Sequence, residues 1–129
     1  AIFPSYVKEI KDYAFSNCTE LKTLDLMQCN DLKVIPEDAF SEIAVRNLVI
    51  PSGVNLIKNG AFIFARMESV EILGDNTITF QHESFQECKY LLIISCPNTD
   101  KLIINDAFCY ISLLLFTCPN VVVEFNNNK

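Results

Sequence analysis

The stretch Leu48-Val-Ile-Pro-Ser-Gly-Val-Asn-Leu-Ile57, followed by Ala61-Phe62, contains the unit from which the whole chain is built. Its Ala-Phe pair, replaced once by Ser-Phe, occurs five times, at intervals of 25, 22, 23 and 23 residues. A fixed period in this range is the signature of a solenoid, in which each repeat forms one coil. The five pairs are Ala14-Phe15, Ala39-Phe40, Ala61-Phe62, Ser84-Phe85 and Ala107-Phe108.

Small or apolar residues keep fixed distances from each phenylalanine. They stand five residues before it and three residues after it, which predicts that both positions face the core. The residues five before are Ile10, Ile35, Ile57, Phe80 and Ile103, and those three after are Cys18, Ile43, Ala65, Cys88 and Ile111. We therefore predict that the five phenylalanines form one buried column, with neighbours separated by one strand spacing of about 4.8 Å.

A short strand is predicted after each phenylalanine, because two apolar residues flank one alternating residue there. The inward pairs are Leu24 and Leu26, Leu48 and Ile50, Val70 and Ile72, Ile93 and Ser95, and Phe116 and Cys118. In this assignment the first inward residue of the strand is the ninth residue after the phenylalanine in the first repeat and the eighth in the other four. Polar residues just before each phenylalanine predict a short helix or 3₁₀ turn across it, because their side chains accept bonds from free N–H groups.

The fold class predicted from these elements is an α/β solenoid with a parallel sheet on one face and short helical or 3₁₀ turns opposite. It has about 5.5 repeats of 22 to 25 residues in one domain, residues 1–129. The repeats are expected near 7–30, 31–53, 54–76, 77–99 and 100–121, with a partial sixth from 122. Because a solenoid that stops within a repeat exposes an apolar end, we expect either a longer parent chain or a partner that covers it.

The first repeat, Val7-x-x-Ile10 … Ala14-Phe15-x-x-Cys18-x-x-Leu21-x-x-Leu24-x-Leu26, resembles the BspA-type leucine-rich repeat. The junction from Leu48 to Phe62 is similar to that family's Ile-Pro … Ala-Phe motif, and the resemblance covers roughly residues 5–125. Thr77 and Asp100 depart from it, because other repeats carry an apolar residue there. The resemblance implies a right-handed, protein-binding solenoid of the kind found on bacterial and protist surfaces, where some members are adhesins. It implies no catalytic residues.

Composition and charge disfavour several other classes of function. The net charge is −6, with 16 acidic and 10 basic residues, which argues against a nucleic-acid partner. The most apolar stretch, residues 108–118, is 11 residues long, too short to insert across a membrane. His82 is the sole histidine, lies at a polar turn position and is expected to be an exposed turn residue. We therefore expect no enzyme activity, no cofactor and no metal site.

The six cysteines leave two interpretations open. Cys18 and Cys88 are expected to be buried small hydrophobes. Cys96 and Cys118 occupy near-equivalent places on adjacent coils, about 5 Å apart, so a disulfide is within reach. The repeat period explains the cysteine spacing without a bridge, and we take that as the favoured interpretation.

We expect a cell-surface or secreted protein, with the cytoplasm as the alternative. The chain shows no signal peptide, which leaves a removed leader, a fragment and an intracellular protein all open.

The outward residues of the predicted sheet are the candidates for partner binding. Three of them, Leu92, Ile94 and Leu115, are apolar, whereas their counterparts in earlier repeats are mainly polar. The alternative is that the strand register slips by one residue in the fourth and fifth repeats. The function predicted is a protein–protein interaction module, for which the resemblance implies an adhesin-like role; the other candidate is a scaffold subunit of a larger intracellular assembly. The partner-binding residues expected are Leu92, Ile94, Leu115, Thr117, Glu71 and Val49.

Overall fold

A computed structural model describes residues 2–108, 115–118 and 122–126, and this part of the chain forms nine short strands. In chain order they are β1 (Val34–Ile35), β2 (Asn47–Ile50), β3 (Leu56–Ile57), β4 (Ser69–Ile72), β5 (Thr77–Phe80), β6 (Ile93–Ser95), β7 (Lys101–Asn105), β8 (Leu115–Thr117) and β9 (Val122–Asn126).

The strands alternate between two parallel sheets. The odd-numbered strands form a five-stranded sheet in the order β1-β3-β5-β7-β9, and the even-numbered strands form a four-stranded sheet in the order β2-β4-β6-β8. From the second coil onward each coil adds one strand to each sheet, which confirms the predicted parallel-sheet solenoid. The strand predicted at Leu24 and Leu26 in the first coil is not formed, and Asp25 makes only an isolated parallel bridge with Ile2. The prediction of a single sheet is wrong. The residues shortly before Phe40, Phe62, Phe85 and Phe108 form strands of their own, β1, β3, β5 and β7, and each of these strands pairs with the next coil.

The phenylalanine column predicted from the repeat is present in the core. Its consecutive ring centroids are 5.4, 5.6, 5.3 and 5.5 Å apart, and the rings are stacked with interplanar angles of 5° to 13°. The three interior members, Phe40, Phe62 and Phe85, are fully buried. This confirms the inward position of the Ala-Phe pair, and it places the largest apolar side chains between the two sheets.

The predicted helical or 3₁₀ turns are wrong, because the described residues contain no helix, and therefore none that could cross a membrane. The N–H group of Phe62 donates to the carbonyl of Ser84 in the next coil, at 2.8 Å, whereas the N–H of Ala61 donates back to Lys58. A 3₁₀ helix would use every N–H group within its own turn. Every second N–H group around the phenylalanine therefore donates to the next coil. These bonds form a ladder between coils, in addition to the ladders of the two sheets, and they take the place of a helix.

Left-handed backbone conformations make this alternation possible. They occur two residues before and two residues after the phenylalanine, with φ between 51° and 64°. Only one of these positions is a glycine, so most of them carry the steric cost of positive φ in an L-residue. The pairs are Tyr13 and Asn17, Asp38 and Glu42, Gly60 and Phe64, and Glu83 and Glu87.

The strand register predicted for the fourth coil is wrong by one residue. Val70 of β4 pairs with Ile94 of β6, and Ile94 is fully buried. The spacing from Phe85 to Ile94 is nine residues, as it is from Phe15 to Leu24, so the fourth coil also has the longer connection. Its inward residues are therefore Ile94 and Cys96 rather than Ile93 and Ser95.

A second shift of one residue occurs in β7. Phe80 pairs with Ile104, which is buried, whereas Ile103 pairs with Thr79 and is only half-buried on the outside of the five-stranded sheet. The inward position predicted for Ile103 is therefore wrong. The connection from Ile104 to Phe108 is one residue shorter than that from Phe80 to Phe85, which accounts for the shift.

Candidate functional site

The outside of the four-stranded sheet is the surface on which the sequence places partner binding. Side chains alternate along a strand, so every second residue of β2, β4, β6 and β8 points away from the core. We call this surface the outer face. Its described side chains are Asn47, Val49, Ser69, Glu71, Ile93, Ser95 and Thr117.

The structure divides five of the six expected partner-binding residues into three groups. Val49, Glu71 and Thr117 lie on the outer face, as the strand alternation predicts. Leu92 immediately precedes β6 and is 53% exposed, and its N–H group donates to the carbonyl of Glu68 at 2.9 Å. Ile94 belongs to the core, and its expected outward position is wrong.

For the sixth expected residue, Leu115, the structure describes the backbone alone. It pairs with Ile93 in the register of β6 and β8, and its side chain is outside the described residues. Ile93 is the outward apolar residue that the sequence assignment missed. A signal for it was present, because Cys88-x-x-Leu91-x-x-Ile94 repeats the spacing of Cys18-x-x-Leu21-x-x-Leu24 in the first repeat.

The outer face changes character between β4 and β6. In β2 and β4 its polar groups satisfy one another, and the hydroxyl of Ser69 donates to Oδ1 of Asn47 at 2.7 Å. The next residue in this row is Ile93, a half-buried isoleucine, and exposed Leu92 lies beside it. An apolar residue, Ile93, thus follows a hydrogen-bonded polar pair in the same row, and Leu92 is its neighbour in the chain.

A groove opens at the start of the four-stranded sheet and extends over four successive repeats. Its volume is about 770 Å³. Both arginines of the chain, Arg46 and Arg66, line it, and exposed Tyr90 lies near Leu92 in sequence at one end. Sequence reasoning missed this groove. The available signal was the placement of the two arginines, 20 residues apart and therefore close to one repeat.

A disulfide joins two neighbouring coils at the end of the four-stranded sheet, on its inward side. Cys96 follows β6 and Cys118 follows β8, and their Cα atoms are 4.8 Å apart in the bonded pair. The interpretation without a bridge, which the sequence favoured, is therefore wrong. The repeat and the bridge are compatible, because equivalent positions on adjacent coils are one strand spacing apart.

The buried thiol of Cys88 is held in a neutral state. Its side chain has no exposure, and its Sγ donates to the carbonyl of Phe62 at 3.1 Å. Burial raises the pKa of the Cys88 thiol to about 12, against a smaller opposing hydrogen bond from the backbone of Ala65. A thiol with so high a pKa is neither a nucleophile nor a metal ligand near neutral pH.

His82 lies in a turn, half-exposed, as the sequence predicts. Its Nε2 is 2.7 Å from Glu83 Oε1, and its Nδ1 is 3.1 Å from Asp106 Oδ2. Carboxylate oxygens therefore lie within hydrogen-bonding distance of both ring nitrogens of His82. Within residues 2–108, 115–118 and 122–126, no group of three or more His, Cys, Asp or Glu side chains could hold a metal ion.

Comparison with protein families agrees with this architecture. A family model described as the BspA-type leucine-rich repeat region matches residues 8–129, in six copies. Neither the curated proteins nor the solved structures gave a match. The matched range covers nearly the whole chain and includes every named strand. The chain belongs to the BspA-type leucine-rich repeat family.

Proposed function

We propose that this chain is a protein-recognition module that binds a partner protein through the outer face of its four-stranded sheet. Leucine-rich repeats generally mediate protein interactions, and the proposal extends that general role to a defined surface of this chain. The observation that carries it is Ile93 on the outer face, next in its row to the hydrogen-bonded Asn47 and Ser69, with exposed Leu92 directly before it in the chain.

The energetics favour a contact at this pair. Contact with water does not stabilise an exposed leucine side chain, whereas burying apolar surface against a partner contributes about 25 cal/mol per Å² to the free energy of binding. Apolar side chains that cluster on adjacent strands are typical of interaction surfaces. Glu71, Val49 and Thr117 extend the proposed site to the rest of the outer face, where polar and charged groups form the rim. Leu115 belongs to the proposed site by its pairing with Ile93.

We propose a cell-surface or secreted location, with an adhesin-like role. The Cys96–Cys118 disulfide supports this, because stable disulfides form mainly in oxidising compartments. The alternative, a scaffold subunit of an intracellular assembly, requires reduced cysteines. The redox state of Cys96 and Cys118 in protein isolated from its source without reductant distinguishes the two. The proposed role requires binding alone and no catalysis.

Site-specific photo-crosslinking tests the proposed surface and identifies the partner. A photoreactive phenylalanine analogue replaces Leu92 in one protein. In a matched control it replaces Leu56, which lies half-buried on the outside of the five-stranded sheet. We expect a discrete crosslinked protein from position 92 and not from position 56. Crosslinking of the same protein from both positions, or from position 56 alone, contradicts the proposal.

A further inference from the structure

The groove at the start of the four-stranded sheet concentrates positive charge on an acidic protein. The chain has a net charge of −6, yet both of its arginines and Lys22 line this one groove. We call it the basic groove. Its lining residues are Lys22, Thr23, Leu24, Asp25, Ala44, Val45, Arg46, Asn47, Arg66, Glu68 and Tyr90.

The two carboxylates of the basic groove are already engaged, but two of its three cations are not. Glu68 Oε2 lies 3.8 Å from Arg46 Nε, and Asp25 Oδ1 accepts the N–H of Met27 at 3.0 Å. Neither Lys22 nor Arg66 forms an ion pair with any residue that the structure describes. Both side chains are exposed, so they are available to an anionic group of a partner.

Tyr90 adds an aromatic contact to these charges. Its ring is 60% exposed, and it lines the groove from the fourth repeat, two residues before Leu92. Arginine and tyrosine are the residue types most enriched among those that dominate binding energy at protein interfaces. The guanidinium group also presents its donors in a planar fork that matches a carboxylate. The basic groove therefore brings guanidinium groups and an exposed tyrosine ring together on one surface.

We propose that the basic groove binds an acidic, extended segment of the partner protein, with carboxylates paired to Arg66 and Lys22 and the segment packed on Tyr90. This rests on the proposed function and names the chemistry of the partner. A protein segment fits better than a nucleic acid, because the carboxylates of Asp25 and Glu68 also line the basic groove and repel a uniformly charged phosphate backbone. Carboxylates spaced by neutral residues meet the cations without that repulsion.

Fluorescence anisotropy with a labelled ten-residue peptide of alternating Glu and Ser tests the inference. The control peptide has Gln in place of Glu. We expect the acidic peptide to bind and the Gln peptide not to bind, with an affinity that falls as salt rises from 50 to 200 mM. The affinity falls because salt screens the attraction between exposed charges.

Two variants with the same loss of charge locate the binding. The first is Lys22→Gln/Arg66→Gln, in the basic groove, and the second is Lys33→Gln/Lys58→Gln, on another part of the surface. We expect the groove variant to weaken peptide binding about tenfold, which corresponds to about 1.4 kcal/mol, and the Lys33/Lys58 variant to leave it unchanged. Equal loss in both variants, or no binding by the wild type, overturns the inference.

Two further measurements separate this inference from other possibilities. A heparin fragment or a single-stranded oligonucleotide that binds more tightly than the acidic peptide overturns it in favour of a sulfated glycan or a nucleic acid. The variant Leu92→Ser/Ile93→Lys tests the proposed function separately, because it removes the apolar pair and leaves the basic groove intact. Peptide binding that persists in this variant supports the inference even if partner binding through the outer face fails.

Discussion

Val70 and Ile94 lie opposite each other in the parallel pairing of β4 and β6, and both side chains are buried in the core. Because side chains alternate along a strand, this pairing turns Ser69 and Ile93 outward, side by side. An isoleucine therefore follows a serine on the outer face. Substitutions that test recognition belong at Leu92 and Ile93, whereas a substitution at Ile94 tests only folding.

The phenylalanine column is expected to dominate the stability of the solenoid. Phe62→Ala should lower the free energy of unfolding by about 3–5 kcal/mol, because it leaves a cavity between two stacked rings. Phe64→Ala is the matched control, since Phe64 is half-exposed and lies two residues away. We expect a loss below about 1 kcal/mol there. Urea unfolding measures both, and equal losses would contradict the column as the core.

Ser84 occupies the position before phenylalanine at which the other four repeats have alanine. Its hydroxyl oxygen is buried and has no hydrogen-bond partner among the described residues. Ser84→Ala should therefore raise the free energy of unfolding by about 1 kcal/mol, because it removes an unpaired buried polar group. The reciprocal change Ala61→Ser should lower it by a similar amount. Chemical unfolding of both variants checks the pair, and a destabilised Ser84→Ala protein would refute the explanation.

The disulfide should stabilise the last coils by restricting the unfolded chain. Cys96 and Cys118 are separated by 22 residues, and closing a loop of this length contributes about 3 kcal/mol. We expect reductant to lower the thermal midpoint of the wild type and to leave that of Cys96→Ser/Cys118→Ser unchanged. Cys18→Ser, which removes a free thiol, should keep the response to reductant. A wild-type midpoint that does not respond to reductant would contradict the bond.

Cys88 should make the protein less stable in alkaline solution. Its pKa is about 12 when folded and 9.0 ordinarily, so above pH 9 the unfolded thiol loses a proton that the folded thiol keeps. The stabilisation that the neutral Cys88 thiol contributes is fully present below pH 9. As the pH rises from 9 toward 12, the free energy of unfolding falls by up to about 1.4 kcal/mol per pH unit. Urea unfolding from pH 8 upward should show a shallower decline for Cys88→Ala. Identical slopes would show that Cys88 is not the cause.

The repeat alone was sufficient to predict the solenoid, the parallel pairing and the phenylalanine column. These features depend on side chains that recur at fixed spacing, and a recurring spacing is visible in one sequence. The helical turn was not predicted correctly, because the polar residue before each phenylalanine suits a helix cap and a left-handed turn equally well. Hydrogen bonds to the next coil decide between the two, and these bonds are not visible in local sequence.

The candidate site was predicted less accurately than the fold, because here too the local sequence is compatible with more than one arrangement. In Leu91-Leu92-Ile93-Ile94 every residue is apolar, so alternation does not identify which ones face the core. The longer connection from Phe85 resolves the register, because it places Leu91, Ile94 and Cys96 inward together. The basic groove brings together cations from successive coils, and that proximity follows from the stacking of coils rather than from a motif.

Partner affinity in matched double variants tests recognition through the outer face most directly. The test variant is Leu92→Ser/Ile93→Lys, and the control is Leu56→Ser/Ile103→Lys, which places the same new residues on the outside of the five-stranded sheet. Titration with the purified crosslinked partner gives the Kd of each. We expect the test variant to raise Kd at least about tenfold with a nearly unchanged thermal midpoint, and the control to keep the wild-type Kd. Wild-type affinity in the test variant, or an equal loss in the control, would contradict recognition through the outer face.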